Sequence, residues 1–207
     1  MATRNVRVLG MGAIATSCLL AAPALAHHPF GGMTPQTFVE GFLSGVGHPV
    51  VGLDHLAFVV ALGLLASLRV GGWWVPLGFL LAAIAGTGLH LSSVNVAGLE
   101  IWVALSVLAL GVLLLKREVS PMLVLIVGAI AGVFHGYAYG ETVIGAEQAP
   151  IGGYLLGFTL IQYAIALGAL ALGRALQHRV KLHQPMRIPA LVISAMGAAF
   201  LAMAIAG

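Results

Sequence analysis

Of the 207 residues, 60% are hydrophobic and 7% charged, with 9 Lys or Arg, 6 Asp or Glu and a formal net charge of +3. Soluble domains carry about 25% charged residues, so a water-soluble fold is excluded for most of this chain. The sequence pI of about 9.4 does not point to nucleic acid, because the basic residues are scattered at the ends of apolar runs and form no patch. Those runs are continuous over roughly 17 to 20 residues and do not alternate with period two, which predicts an all-α integral membrane protein and not a β-barrel.

Residues 1–26 read as a cleavable signal peptide. Arg4 and Arg7 form a charged start, Val8 to Leu20 an apolar stretch, and Ala24-Leu25-Ala26 a small-residue cleavage site. Cleavage there leaves His27 as the mature N-terminus. Cys18, the one cysteine, goes with the removed segment, so neither disulfides nor thiolate metal sites are expected in residues 27–207.

Thr34-Pro35 signals a helix start with Pro at the first helical position, opening a short stretch from Gln36 to Gly45 that lies at the interface or dips part-way in. Six spans then form a single membrane domain, a six-transmembrane helix bundle. They are expected at 51–68, 73–91, 96–115, 121–139, 151–172 and 189–205, each window bounded by charge, Pro or Gly.

Basic residues mark the cytoplasmic side of such a bundle. With His27 outside, span one ends inside at Arg69, span three at Lys116 and Arg117, and span five at Arg174, Arg179, Lys181 and Arg187. Arg4 and Arg7 complete the set, so all nine basic residues fall on one side. Glu40, Asp54, Glu100, Glu141 and Glu147 fall on or near the other, and Glu118 alone stays inside. The expected location is the inner membrane of a bacterium, with both mature ends outside.

This orientation sorts the histidines. His178 and His183 sit in the basic inner loop, where a solvated, headgroup-facing role suits them. His48, Asp54 and His55 lie at the outer end of span one in His-Pro-Val-Val-Gly-Leu-Asp-His. His90 and Glu100 lie at the outer ends of spans two and three, and His135 and Glu141 in and just beyond the outer part of span four. Ionisable groups within or at the lip of a span are costly and mark function. Imidazole nitrogen with carboxylate oxygen suits nickel, cobalt, zinc or iron better than copper(I), which prefers sulfur.

Span four adds Phe134-His135-Gly136-Tyr137-Ala138-Tyr139-Gly140-Glu141. Gly128, Gly132, Gly136 and Gly140 recur every four residues and form a smooth packing face. His135 stands about 100° from Gly136, beside that face. Tyr139, one turn on, is placed to orient the His135 ring through its hydroxyl. Gly153-x-x-x-Gly157 could pack helices within one chain or between two, so a homo-oligomer stays open.

The two polar segments resemble the signatures of the HupE/UreJ nickel/cobalt permeases: a His, five residues and Asp-His, then a Phe-His-Gly segment ending in glycine and an acid. The matching positions are His48, Asp54 and His55, then Phe134, His135, Gly136, Gly140 and Glu141. The family pattern has a second His where this chain has Tyr139, and its acid one residue later than Glu141. The resemblance implies uptake of nickel or cobalt across the cytoplasmic membrane for metalloenzyme maturation or cobalamin synthesis. It implies a permease and not an enzyme, with the ion as cargo and no permanent cofactor.

No Gly-rich phosphate-binding motif or sizeable cytoplasmic domain is present, so the chain has no ATP-binding domain of its own. The expected partners are the metal ion and membrane lipids. On the expected path His27 and His28 capture the ion, His48, Asp54 and His55 receive it, and it moves deeper to His135 with Gln162 as a waypoint. His90, Glu100 and Glu141 are further candidate ligands. Two other readings use the same residues: an intramembrane zinc hydrolase, for which Ser92 and Ser93 are not obviously placed, and a haem-binding protein with two facing imidazoles.

Overall fold

A computed structural model describes residues 34–116, 118–179 and 186–206. The expected signal peptide, His27, His28 and His183 lie outside the described residues. Within them every regular element is helical. Helices α1 (Phe38–Val51) and α2 (Leu53–Ser67) are followed by a 3₁₀ turn at Gly72–Trp74 and by α3 (Val75–Leu91) and α4 (Leu99–Leu114). Then come α5 (Pro121–Gly140), a second 3₁₀ turn at Glu141–Val143, α6 (Gln148–Arg179) and α7 (Arg187–Ala206).

The chain is a multi-pass membrane protein by its apolar helices. Four stretches are long and apolar enough to cross a bilayer: Gly72–Leu91, Pro121–Val143, Gln148–His178 and Arg187–Ala206. A fifth arises if α1 and α2, bent by 79° at their junction, count as one. α4 is apolar but has 16 residues, or about 24 Å of helix against a hydrocarbon layer of about 30 Å. The six windows expected from sequence fall on α2 to α7.

The first helix differs from expectation. It is capped by Thr37 and not opened by Thr34-Pro35, and it runs to Val51. Thr37 Oγ1 accepts from Glu40 N at 3.2 Å while Glu40 Oε2 accepts from Gln36 N at 2.7 Å. This resembles a capping box with the glutamate reaching one residue further back, to Gln36 instead of to the N-cap N–H, and it satisfies two backbone donors at the helix start.

α1 and α2 lie in succession along α6. A Cβ on Gly41 would strike the Pro150 carbonyl and one on Gly45 the Tyr154 carbonyl; further along, Gly63 abuts Ala166 and Ser67 abuts Gly173. Gly153 and Gly157 face the backbone of Phe38 and Phe42, so the Gly-x-x-x-Gly motif packs within the chain. α3 runs beside α5 in the same direction, and α4 packs antiparallel to α7 through Gly111 against Ser194 and Gly197 against Leu108. Beyond the Asp54-His55 turn α2 is apolar on every side, and it sits at the centre: eleven of its fifteen residues are buried.

Helices α2, α4 and α6 therefore run one way and α3, α5 and α7 the other. One end of the bundle is basic. There Arg69 donates to the Val119 carbonyl at 2.5 Å, and Arg174 donates to the Arg69 carbonyl at 3.4 Å. The opposite end carries the candidate site and every acid but Glu118.

Candidate metal site

The segment from His48 to His55 is built across a helix break. Pro49 lies inside the last turn of α1 and has no N–H to give the carbonyl four residues back, which weakens that turn. Gly52 leaves the helix with an extended ψ of 98°, its N–H donating to the His48 carbonyl at 2.9 Å. A Cβ on Gly52 would lie 2.9 Å from His55 Cδ2, so glycine makes room for the imidazole. Asp54, in the first turn of α2, accepts from His55 N at 2.8 Å and places a negative charge at a positive helix end. Interrupted helices with such exposed ends recur at ion sites in membrane carriers. The sequence suggested a polar lip on one continuous span; the structure puts the cluster at a bend, with His48 and His55 fully buried.

His135 of α5 meets this break from the other side. His55 Nδ1 and His135 Nδ1 are 2.9 Å apart, and the His48 and His55 ring centroids are 5.4 Å apart. His48 Nδ1 is turned towards Thr142 Oγ1 at 2.8 Å and the Tyr154 hydroxyl at 3.2 Å. His135 Nε2 lies 2.8 Å from Ser106 Oγ of α4. On the basic side the cluster rests on aromatic carbon: the Phe58 ring centroid is 4.3 Å and the Phe79 centroid 6.0 Å from that of His135.

From the acidic end a cavity of about 310 Å³ reaches His55. Asp54, Glu100 and Glu141 line it, together with Ala138 of α5 and Ala204 near the end of α7. Glu100 and Glu141 are exposed at this end, Asp54 is half-buried and His55 is fully buried. Carboxylate density thus gives way to imidazole with depth. That order first attracts a cation and then offers it neutral nitrogen ligands.

Several expected roles are rearranged. Tyr139 does not orient His135: its hydroxyl donates to Gln162 Oε1 at 2.9 Å, while its ring stands edge-on to His48 and His55 with centroids 5.0 and 4.6 Å away. The Tyr139 and His135 centroids are 6.4 Å apart, too far along the helix for that hydroxyl to turn back. His90 also stands apart. Its ring lies against Tyr137 at 4.2 Å, its Cβ faces Gly140, and it lines a different cavity with Ser93 and Asn95. His90 shares the end of the bundle with the cluster but lies on another face. Among the described residues no three His, Asp or Glu side chains stand close enough to enclose an ion as folded, so the polar groups expected to converge from the outer ends of spans one to four form an open constellation.

The glycine ladder of α5 lies against α3 for most of its length. A Cβ on Gly136 would strike the Ala83 carbonyl, one on Gly132 would lie 2.6 Å from the Phe79 carbonyl, and one on Gly140 would lie 2.7 Å from His90 Cβ. Gly128 differs, facing Leu62 Cδ1 of α2 at 3.3 Å. This close approach of α3 and α5 is what lets Phe79 reach the His135 ring.

The chain matches the HupE / UreJ protein family over residues 14–200, which takes in α1 to α6 and most of α7. It belongs to the HupE/UreJ family. It is also 34% identical over 166 residues to Protein HupE of Rhizobium leguminosarum bv. viciae, covering 76% of this chain and 82% of that relative. No solved structure matches. Both polar segments lie inside the family match.

Three neighbours of the imidazoles carry no advance signal in the HupE/UreJ-like motifs of this chain. Ser106 lies in the apolar run of α4, Thr142 in the turn after Glu141, and Tyr154 near the start of α6. Hydroxyl side chains are common in apolar helices because they can return their hydrogen bond to the backbone, as Ser106 does to the Val103 carbonyl at 2.6 Å. Only the fold brings them beside His135 and His48.

Proposed function

We propose that the protein carries a divalent transition-metal cation, nickel or cobalt, across the cytoplasmic membrane of a bacterium, from the acidic to the basic end of the bundle. The observation that carries this reading is the cavity that joins Asp54, Glu100 and Glu141 to the buried His55, with His48 and His135 behind it. Membership of the HupE/UreJ family supports it. In this reading the protein is a permease with no chemical step and no permanent cofactor.

The acidic end faces outward, six spans follow a cleaved signal peptide, and both mature ends lie outside. The carboxylates concentrate the ion at the mouth, where His27 and His28 could first bind it. His55, His135 and His48, with Asp54, then replace part of its water shell. An open constellation suits a carrier, since a closed four-ligand cage would hold the ion too tightly to release. The membrane potential can drive the inward step, at roughly 2.3 kcal/mol per charge per 100 mV. Phe58 and Phe79 must then move aside for the ion to continue, with Gln162 of α6 as a polar waypoint.

The test is accumulation of radiolabelled nickel or cobalt in cells that carry the wild type, Asp54→Ala or His55→Ala at equal abundance in the membrane. Loss of accumulation in both variants is expected. Undiminished uptake by either variant overturns this path.

A further inference from the structure

Ser106 is a buried hydroxyl on α4, and its hydrogen bonds determine which nitrogen of His135 carries the proton. Its O–H donates to the Val103 carbonyl within its own helix at 2.6 Å. A serine has one hydrogen to give, so towards His135 Nε2, at 2.8 Å, the oxygen can only accept. His135 Nε2 therefore carries a proton. In the neutral ring Nδ1 is then the bare nitrogen, and Nδ1 is the atom that faces His55.

We propose that Ser106 is a positioning residue: it holds His135 in the Nε2–H tautomer, so that the bare His135 Nδ1 accepts from His55 Nδ1–H while the site is empty, and an incoming divalent cation takes both Nδ1 atoms as His55 shifts its own proton to Nε2. The metal part of this inference rests on the uptake reading above; the tautomer does not. The geometry suits the role. Two nitrogen ligands at about 2.1 Å from one ion and at right angles to each other stand about 3.0 Å apart, against about 3.4 Å for tetrahedral ligands. The 2.9 Å separation is that of an N–H···N hydrogen bond, and because it is also close to the right-angled spacing, a cation can replace the shared proton with little movement of either ring. Right-angled nitrogen pairs belong to octahedral and square-planar ions, the preference of nickel more than of zinc.

The alternative tautomer would leave Nε2 and Ser106 Oγ as two facing acceptors 2.8 Å apart. Both groups are buried, so facing acceptors with no donor between them are expensive. Ser106 thus acts through His135 without touching the ion. Groups that accept the remote N–H of a metal-binding histidine typically change metal affinity 10- to 100-fold when removed.

The first test is ¹⁵N NMR of histidine-labelled, full-length, metal-free protein in lipid, with His135 assigned by comparison with His135→Asn. A protonated, pyrrole-like Nε2 and a bare, pyridine-like Nδ1 are expected, and Ser106→Ala should lose that preference while Ser106→Thr keeps it. The second is titration of the purified protein with Ni²⁺ alone. Ser106→Ala should bind about 10- to 100-fold more weakly, and Ser106→Thr should restore binding. A wild-type His135 protonated at Nδ1, or unchanged Ni²⁺ affinity in a folded Ser106→Ala protein, overturns the assignment. A wild type that shows the expected tautomer yet binds no Ni²⁺ overturns the uptake reading and the metal role drawn from it.

Discussion

His55 and His135, 80 positions apart in the chain, face each other nitrogen to nitrogen, Nδ1 to Nδ1 at 2.9 Å. One belongs to the first turn of the central helix, the other to the far half of α5. Both rings are fully buried, and an aromatic floor of Phe58 and Phe79 lies under His135. The pair is therefore a structural contact as well as a candidate ligand pair, and the two roles must be separated in any mutation.

His135→Ala removes a buried ring from this contact. The void and the orphaned Ser106 acceptor should lower stability by about 2–4 kcal/mol, and metal uptake should vanish. Thermal unfolding in detergent measures the first effect. Uptake per unit of protein in the membrane measures the second; if normalised uptake matches the wild type, His135 is structural only.

Gly52→Ala tests the helix break. The backbone at Gly52, with φ of −74°, is open to alanine, so the cost comes from the side chain and not from conformation. The new Cβ would press on His55 Cδ2 at 2.9 Å and on Asp54 Oδ1 at 3.3 Å. A stability loss of about 1–3 kcal/mol is expected, as for other overpacked sites. Ni²⁺ affinity should fall as well, because His55 is the group displaced. Calorimetric titration beside a thermal melt would show whether the ring or merely the fold has been disturbed.

How much of this site could be read in the sequence follows from the cost of each residue type. His48, Asp54, His55 and His135 stand out because ionisable groups are rare in apolar helices. The charge distribution supplied their common end of the bundle, and it did so for His90 as well. What it could not supply was the direction each side chain takes around its helix, and His90 accordingly faces Tyr137 and a different cavity. The break at Gly52 was hidden by the length of the apolar run around it, although Pro49 lay three residues before. The helix starts at the Thr37-x-x-Glu40 pattern, three residues after Thr34-Pro35, because Thr37 offers the side-chain cap that a Pro-led start lacks. Ser106, Thr142 and Tyr154 could not be picked out, since their meaning comes only from contacts with helices distant in sequence.

The glycine ladder should rank its members by what each one faces. Gly136→Ala drives a methyl group into the Ala83 backbone, which cannot swing away, and should cost about 1–3 kcal/mol or more. Gly128→Ala meets only the end of the Leu62 side chain at 3.3 Å, which can rotate, and should cost less. Melting temperatures in one detergent decide the order. Equal losses would mean that α3 and α5 are not held at the observed separation.

Glu100→Gln and Glu141→Gln address the mouth of the cavity. Both carboxylates are exposed and act on the approaching ion through solvent, where their effect is long-ranged and screened by salt. Initial uptake rates should fall at low ionic strength and converge with the wild type as salt is raised. Asp54→Asn, closer to His55, should lower uptake at every salt concentration. A salt-independent defect in the Glu141 variant would instead place that group among the ligands.

Tyr139 and Gln162 form a buried polar pair between α5 and α6, and their energetics can be separated from metal binding. The tyrosine hydroxyl donates to Gln162 Oε1 at 2.9 Å, and Gln162 Nε2 is buried with no hydrogen-bond partner among the described residues. Tyr139→Phe leaves both polar ends of the glutamine unsatisfied, and Gln162→Leu strands the tyrosine hydroxyl; each should cost about 1–3 kcal/mol. The double replacement removes both partners and should cost less than the sum, with a coupling of about 0.5–3 kcal/mol. Since the hydroxyl points away from His135, Tyr139→Phe should leave Ni²⁺ affinity near the wild-type value. A double-mutant cycle by denaturation, run beside Ni²⁺ titration, tests both points, and a large affinity loss in Tyr139→Phe would show that the hydroxyl reaches the ion when metal is bound.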